Sequence, residues 1–430
     1  MPTLRAKGGR DLMTRVQNKL HPPQAGEHGY EVVRSSEAPL PTGAKYILKT
    51  GIESIDVYCG EGLPFGRTVE IYGIEGSGKT ALTLRCCVRA QQRFIYERVI
   101  NPETKTHTYT QIDPACEIVI LYVDNEQTLD EGSKLIVDGL EIDALIARCD
   151  TIDELFDMVD KTIAVVEAAA DEAAERAEQN DTKPLPCFTI IAVDTIAGTS
   201  TKAEMEAEWG TQDYPRAPQA LRRAFSKMTR KINRNNVLFI ATNQVNESFK
   251  PKKKGFVNPY ALDLPRPDDF NSPGGRAIKF YSTIRIFMFP INLDYKLSRG
   301  LQGPSGFTGG FVTVKNKLFK PRREGRFVLL YEGGLSNVFS ILETMLKTKV
   351  AVRGEKGVVE FLFRKHGIEP TTFKGLKANT NPRMVGDNAA WAAFYKEHLA
   401  DMRALWDKSS ELTFSEADAV PVDDDELDED

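Results

Sequence analysis

The sequence predicts an α/β fold: a mostly parallel central sheet flanked by helices, followed by a small α+β C-terminal domain. Three observations point there. Apolar, β-rich runs at Arg67–Tyr72, Glu117–Val123, Phe188–Val193 and Val237–Thr242 alternate with helical patterns. A glycine-rich turn, GIEGSGKT at Gly73–Thr80, lies between the first run and an apolar-periodic stretch, Ala81–Gln92. The 430 residues are 41% hydrophobic and 27% charged, which suits a sizeable core and excludes a wholly disordered or fibrous chain.

Residues 1–45 are rich in Pro, Gly and charge, with one short amphipathic piece at Asp11–Leu20. They read either as a loosely held arm or as an arm that docks on a neighbouring subunit. Residues 46–334 form the predicted core. Within it, Phe94–Ile112 reads as two β-rich segments around Asn101-Pro102, a hairpin inserted after the first helix. Ile152, Leu155, Phe156, Val159, Ile163 and Val166 recur at helical spacing, and the pattern then turns Ala/Glu-rich as far as Gln179. Core packing accounts for the apolar face, solvation for the rest. Phe280–Leu330 is again strand-like. Residues 335–414 are helix-rich and predict a small second domain, and 415–430 an acidic, disordered tail.

Net charge is −5, but Glu416–Asp430 holds nine acids and no base, so the body is formally +4. That asymmetry suggests a polyanion contact on the body and a tail that competes for it. Six cysteines, at 59, 86, 87, 116, 149 and 187, form no CxxC pair and do not cluster with the five histidines. A zinc site or disulfide framework is not expected, and a reducing compartment is. No apolar run approaches the roughly 18 residues that span a bilayer. The N-terminus lacks the apolar stretch of a secretory signal. A cytoplasmic protein with no membrane contact is expected.

The glycine-rich turn carries chemistry. Backbone N–H groups of such a loop turn inward around a phosphate, at a helix N-terminus that favours anions. Gly73, Glu75, Gly76, Ser77, Gly78, Lys79, Thr80 and Ala81 are therefore the candidate nucleotide contacts. Lys79 reaches the β- and γ-phosphates in this motif, and the Thr80 hydroxyl ligates Mg²⁺. An acidic residue is also needed near the metal at the end of a buried strand. TIIAVD, ending in Asp194, supplies it. VILYVDNE, ending in Asp124 and Glu126, brings an acid suited to activating water; alone, Asp124 reads equally as a helix cap. Gln244, in ATNQ, follows the fourth buried run and is placed to sense the γ-phosphate.

With these residues in view, the chain resembles the RecA family of homologous-recombination ATPases, bacterial and phage branch, over roughly Leu48–Leu342. TGIESIDVYCGEGLPFGRTVEIYGIEGSGKTALTL is similar to that family's approach to its phosphate loop. DNEQTLD resembles the segment with its catalytic glutamate, here Glu126, and keeps the nearby acid as Asp130, a nucleotide contact. VDTIAGTSTKAEME resembles its Mg²⁺-site aspartate segment, and ATNQ its γ-phosphate sensor. GGRAIKFY resembles the segment after its second DNA-binding loop. VTVKNK resembles a lysine pair, here Lys315 and Lys317, that reaches a neighbouring subunit's nucleotide.

The resemblance implies an ATP- and Mg²⁺-dependent, DNA-dependent ATPase. It implies a homo-oligomeric helical filament on single-stranded DNA that pairs the strand with homologous double-stranded DNA and exchanges strands. Two loops are expected to touch DNA. The first, 209–219, leads into a helix with Arg223 and Arg230 as phosphate contacts by family position. The second, 245–273, contains Phe249, Lys250, Lys252, Lys253, Lys254 and Phe256. Basic residues interleaved with aromatics suit single strands, because charge meets phosphates while flat faces stack on bases. In the small domain, Lys365, Lys374, Lys377 and Arg383 either meet duplex DNA or lie on a solvated surface.

Departures from the family pattern also stand out. Ser133 takes the place of the aromatic residue expected against adenine. The hairpin at 94–112 and the helix at 163–180 are extra material. A divergent member, of a bacterial cell or a phage-infected host, fits these differences. Two rivals share the core. A ring-shaped helicase or motor would lack the KAEME, GGRAIKFY and VTVKNK segments. A non-catalytic DNA-binding mediator would not need Lys79, Glu126 and Asp194 intact.

Overall fold

The computed structural model describes residues 45–101, 107–112, 116–126, 136–137, 140–182, 184–205, 217–247, 265–295, 305–331, 333–354, 358–372, 378–379 and 388–412. The expected arm helix at 11–20, the acidic tail and the centres of both candidate DNA loops lie outside these residues.

Ala44–Asp430 is one compact unit built on a nine-stranded sheet of described residues. Its strands in chain order are β1 (Arg67–Gly73), β2 (Glu117–Asp124), β3 (Leu145–Ala147), β4 (Cys187–Asp194), β5 (Val237–Asn243), β6 (Ile284–Tyr295), β7 (Gly306–Asn316), β8 (Arg323–Leu330) and β9 (Gly334–Ser336). The spatial order is β9-β8-β7-β6-β1-β5-β4-β2-β3. From β6 to β3 every neighbour is parallel, and the β6–β9 edge is an antiparallel meander. All four predicted apolar runs are central strands, and each ends within a residue of its predicted limit.

The principal helices are α1 (Lys79–Gln91), α2 (Ile152–Gln179), α3 (Ala217–Arg234), α4 (Gly275–Tyr281) and α5 (Asn337–Lys347). Strand alternation sends successive side chains to opposite faces. On β4, Ile190 and Ala192 pack toward α1, with Leu82 and Cys86, while Ile191 and Val193 pack toward α2 and α3. The central strands are buried on both faces, which is why they read as continuous apolar runs rather than alternating ones.

Helix α2 begins at a capping box. The Thr151 side chain accepts from Glu154 N–H and the Glu154 carboxylate accepts from Thr151 N–H, both at 3.2 Å. Its six predicted apolar residues are all buried, and Ala177 is the only buried residue after Val166. The predicted hairpin is present as Ile95–Ile100 and His107–Gln111. It joins Tyr46–Leu48 and Leu63–Pro64 in a separate four-stranded sheet.

Beyond β9 the chain is helix-rich, as expected, with a three-stranded sheet formed by Ala351–Arg353, Val359–Phe361 and Ala378–Asn379. Phe339, Leu342 and Met345 of α5 share a core with Val328 and Leu330 of β8. The Glu53 carboxylate accepts from Tyr395 Oη at 2.7 Å and Arg403 Nε at 3.0 Å, tying the C-terminal helices to residues 53–59. All six cysteines are free thiols.

The α2–α3–β5 layer is locked by aromatics. Phe225 is wholly buried and meets Phe156 edge-on at 5.1 Å and Phe239 at 5.6 Å. Phe225→Ala is expected to cost about 3–5 kcal/mol in urea unfolding. A loss below about 1 kcal/mol would contradict this packing.

Candidate active site

The candidate site lies where the parallel strands end. Tyr72 is in register with Asn243, Val193 with Ala241, and Asp194 with Asp124. The residues that follow these ends, Gly73, Gln244 and Asn125-Glu126, therefore emerge along one edge of the sheet, where open α/β sheets bind ligands.

Gly73 passes so close to β6 that a Cβ there would lie 1.9 Å from the Met288 carbonyl oxygen, which excludes every other residue. Gly78 then adopts a left-handed conformation (φ 85°) and launches α1 at Lys79, two residues earlier than the apolar pattern predicted. Lys79, Thr80 and Ala81 are thus the first three helical residues, whose N–H groups have no intrahelical partner. No side chain caps them and no acid occupies the first turn. Ser77 is wholly buried and its hydroxyl has no hydrogen-bond partner among the described residues. Free backbone donors beside an orphaned hydroxyl at a positive helix end fit a phosphate group. Glu75 and Gly76 are exposed.

The Lys79 ammonium donates to the carbonyls of Gly73 (3.1 Å) and Ile74 (2.9 Å), so it already spans the loop. Burial lowers its pKa, while the carboxylates of Asp194, Glu126 and Glu75 pull it back up. Three acids from different segments therefore act on this one amine.

Asp194 is buried and held at both oxygens, by Tyr122 Oη at 3.0 Å and by the Thr242 hydroxyl. Its backbone carbonyl accepts from Asn125 N–H (2.8 Å) and Glu126 N–H (3.2 Å). Glu126 in turn accepts at Oε1 from Gln244 Nε2, at 3.0 Å. The two residues singled out as water activator and phosphate sensor thus meet directly, and both are exposed. Asp124 is wholly buried in the last position of β2, with the Arg148 guanidinium 4.0 Å away.

The oxygen donors Thr80 and Asp194 suit Mg²⁺, a hard cation usually held by one or two protein groups together with substrate phosphates. No group of three or more metal-ligating acids, histidines or cysteines occurs among the described residues.

Lys315 and Lys317 engage their own chain's helix α4. Lys315 Nζ donates to the carbonyls of Lys279 (2.6 Å) and Phe280 (2.9 Å), and Lys317 lies 5.9 Å from the Phe280 ring centre. Lys315 is in register with Arg285, itself in register with Glu70, three residues before Gly73. Phe280 is 69% exposed beside them.

Arg223 and Arg230 are exposed on α3. That helix begins at Ala217, so the last three residues of the predicted first loop are helical. The second predicted loop is also structured at its base. Asn246-Glu247 pairs antiparallel with Phe270-Asn271, and a short helical turn covers Pro267–Asp269. Asp130, Ser133, Phe249, Lys250, Lys252, Lys253, Lys254 and Phe256 lie outside the described residues.

Sequence reasoning missed Tyr122 and Thr242, which hold Asp194, and a buried ion pair, Arg285 Nε to Glu70 Oε2 at 2.5 Å. The signal for the ion pair was present: one acid in the apolar run of β1 and one base in that of β6.

The RecA N-terminal domain family model matches residues 45–181 and 186–336. The chain is 28% identical over 312 residues to the Synechocystis protein named Protein RecA, covering 71% of this chain and 70% of that one. It is also 28% identical over 311 residues to Protein RecA of Colwellia psychrerythraea, covering 70% of each. Against Protein RecA of Clostridium perfringens it is 27% identical over 312 residues, covering 70% of this chain and 69% of that one.

Two predictions follow from the geometry. Thr242→Val keeps the shape and removes one donor to the Asp194 carboxylate. It is expected to destabilise the fold by about 1.5–3 kcal/mol, the worth of a hydrogen bond to a charged group; unchanged urea unfolding would show the contact to be idle. Burial, with Lys317 and Arg285 nearby, lowers Lys315 from 10.5 to about 8. Between those two values the unfolded chain binds the extra proton, so this residue's contribution to stability rises with pH across that window. Lys315→Met should flatten that rise relative to the parent, and equal pH slopes would refute the assignment.

Proposed function

This chain belongs to the RecA family, and from that premise we propose that it is a DNA-dependent ATPase and recombinase that forms ATP-bound helical filaments on single-stranded DNA and promotes pairing and strand exchange with a homologous duplex. The observation that carries the reading is the convergence of Glu126, Gln244, Asp194 and Lys79 beside a loop shaped for phosphate.

In this reading the Lys79 ammonium exchanges the loop carbonyls of Gly73 and Ile74 for phosphate oxygens. Thr80 and Asp194 would hold Mg²⁺, which would supply positive charge against the phosphates. Glu126 takes the proton of the attacking water. The Gln244 amide now donates to Glu126, so a γ-phosphate that claims this donor frees the carboxylate for water. Asp130 contacts the nucleotide. The position of Lys315 on β7 and of Lys317 just past its end, both beside exposed Phe280, supports action on a neighbouring subunit's nucleotide.

Arg223 and Arg230 contact DNA phosphates from α3, while Phe249, Lys250, Lys252, Lys253, Lys254 and Phe256 grip the single strand from the second loop. Double-stranded DNA is the second partner, with 335–414 as an accessory domain and the 415–430 tail as a competitor for basic surface. No described helix is long and apolar enough to cross a membrane.

ATP hydrolysis measured with and without single-stranded DNA tests the assignment. Lys79→Ala should weaken nucleotide binding by roughly a hundredfold or more, as loss of a partly buried charge contact does. Glu126→Ala should slow hydrolysis by about 10²–10⁴-fold while leaving nucleotide affinity nearly unchanged. Hydrolysis at the parent rate in Glu126→Ala would remove it as the base. Electron microscopy with single-stranded DNA and a non-hydrolysable ATP analogue should show helical filaments. Closed rings would favour a motor, and no ATPase activity a mediator.

A further inference from the structure

A polar network lies buried beneath the candidate site, and the proposed chemistry does not use it. Glu70 is wholly buried in the middle of β1. Its carboxylate accepts from Arg285 Nε at 2.5 Å and from Asn243 Nδ2 at 3.2 Å. Asn243, also wholly buried, donates from the same nitrogen to the Pro273 carbonyl at 3.0 Å. Arg285 donates to the Ser272 hydroxyl at 3.2 Å, and its guanidinium lies 4.4 Å from the centre of the Tyr72 ring.

The placement is specific. Tyr72 immediately precedes Gly73 of the phosphate loop. Asn243 immediately precedes Gln244. Ser272 and Pro273 close the second candidate DNA loop, just after the Asn246-Glu247 and Phe270-Asn271 pairing at its base. They also lead directly into Gly274 (φ 83°) and α4. One buried network therefore touches the residue before the phosphate loop, the residue before Gln244 and the end of the second candidate loop.

We propose that Glu70, Asn243 and Arg285 form a positioning relay that couples the nucleotide site to the 245–273 segment, with the Asn243 side chain as its joint. The proposal rests on reading that segment as a DNA contact. Both neighbours of Asn243 Nδ2 are acceptors, so the amide nitrogen must face them. Its oxygen is left buried with no partner among the described residues. A buried polar atom without a partner is costly. This arrangement is therefore incompletely satisfied, and a backbone movement at Gln244 that offers the oxygen a donor favours another. Because the same amide holds the Pro273 carbonyl, such a movement is felt at the base of the loop. A buried, fully packed network has discrete arrangements rather than a continuum, as a switch requires.

The test measures binding of a labelled single-stranded oligonucleotide to the full chain, with and without a non-hydrolysable ATP analogue. In the parent protein the analogue should raise affinity by about 5–150-fold, the usual range of coupling between two sites. Asn243→Ala should reduce that enhancement to within about threefold, while analogue binding itself stays within about threefold of the parent. An undiminished enhancement overturns the relay and leaves the proposed function standing. A parent protein with no enhancement overturns the proposed function, and the relay with it. Hydrogen exchange on the parent protein needs no substitution and covers the case where the variant does not fold. The analogue alone, without DNA, should change protection at residues 270–275, and unchanged exchange there also overturns the relay.

Discussion

The site depends on one buried carboxylate. Asp194 ends β4 in the interior, where a charge is tolerated only if its hydrogen bonds are made. Tyr122 and Thr242 make them from the two flanking strands, β2 and β5. The same residue's backbone carbonyl then takes the N–H groups of Asn125 and Glu126. Through its two ends, Asp194 fixes both a candidate metal ligand and the segment carrying the candidate base. Glu126 finds Gln244 only because β5, between β1 and β4, ends level with them. Parallel register supplies the alignment, and Asp194 converts it into a cluster.

Much of this was legible in the sequence, and the reasons are local. The central strands are buried on both faces, so their apolar runs are unbroken. The phosphate loop is encoded by glycines whose roles are steric: Gly73 against Met288, and Gly78 in a conformation other residues avoid. Helix α2 carries its own capping box and a periodic apolar face. Relations between distant segments were not legible. Nothing in ATNQ or DNEQ says that Gln244 and Glu126 bond to each other, and nothing in VILYVD says that Tyr122 supports Asp194. These depend on strand order, which periodicity does not encode. The hairpin and the Ala/Glu-rich end of α2 were legible for local reasons as well: two β-rich segments flank Asn101-Pro102, and the apolar period of α2 gives way to a solvated pattern after Val166.

The ion pair of Glu70 and Arg285 is costly to maintain in the interior. Desolvating two charges offsets most of their attraction, and an apolar pair of similar volume often stabilises a fold as well or better. Stability alone therefore does not explain it. What distinguishes this pair is the set of groups it collects: Tyr72, before the phosphate loop, Asn243, before Gln244, and Ser272, which with the Pro273 carbonyl bonded to Asn243 closes the second candidate loop. An apolar substitute would fill the space and hold none of them.

Lys315 illustrates the same logic at the surface. An amine sent from one subunit to a neighbour's phosphate has to shed water, a cost that usually weighs against such contacts. Here the amine is already half-buried and bonded to two carbonyls of α4, and burial holds its pKa near 8. Part of its desolvation is thus complete within its own subunit. Moving to a phosphate exchanges neutral acceptors for a charged one, and hydrogen bonds between charged partners are roughly twice as strong as neutral ones. Lys315 leaving its present partners would also release two carbonyls at the C-terminal end of the helix that carries Phe280. Under the proposed function, a lysine held on its own interface helix links two events at one position: reaching the neighbour's nucleotide and loosening the helix that faces that neighbour.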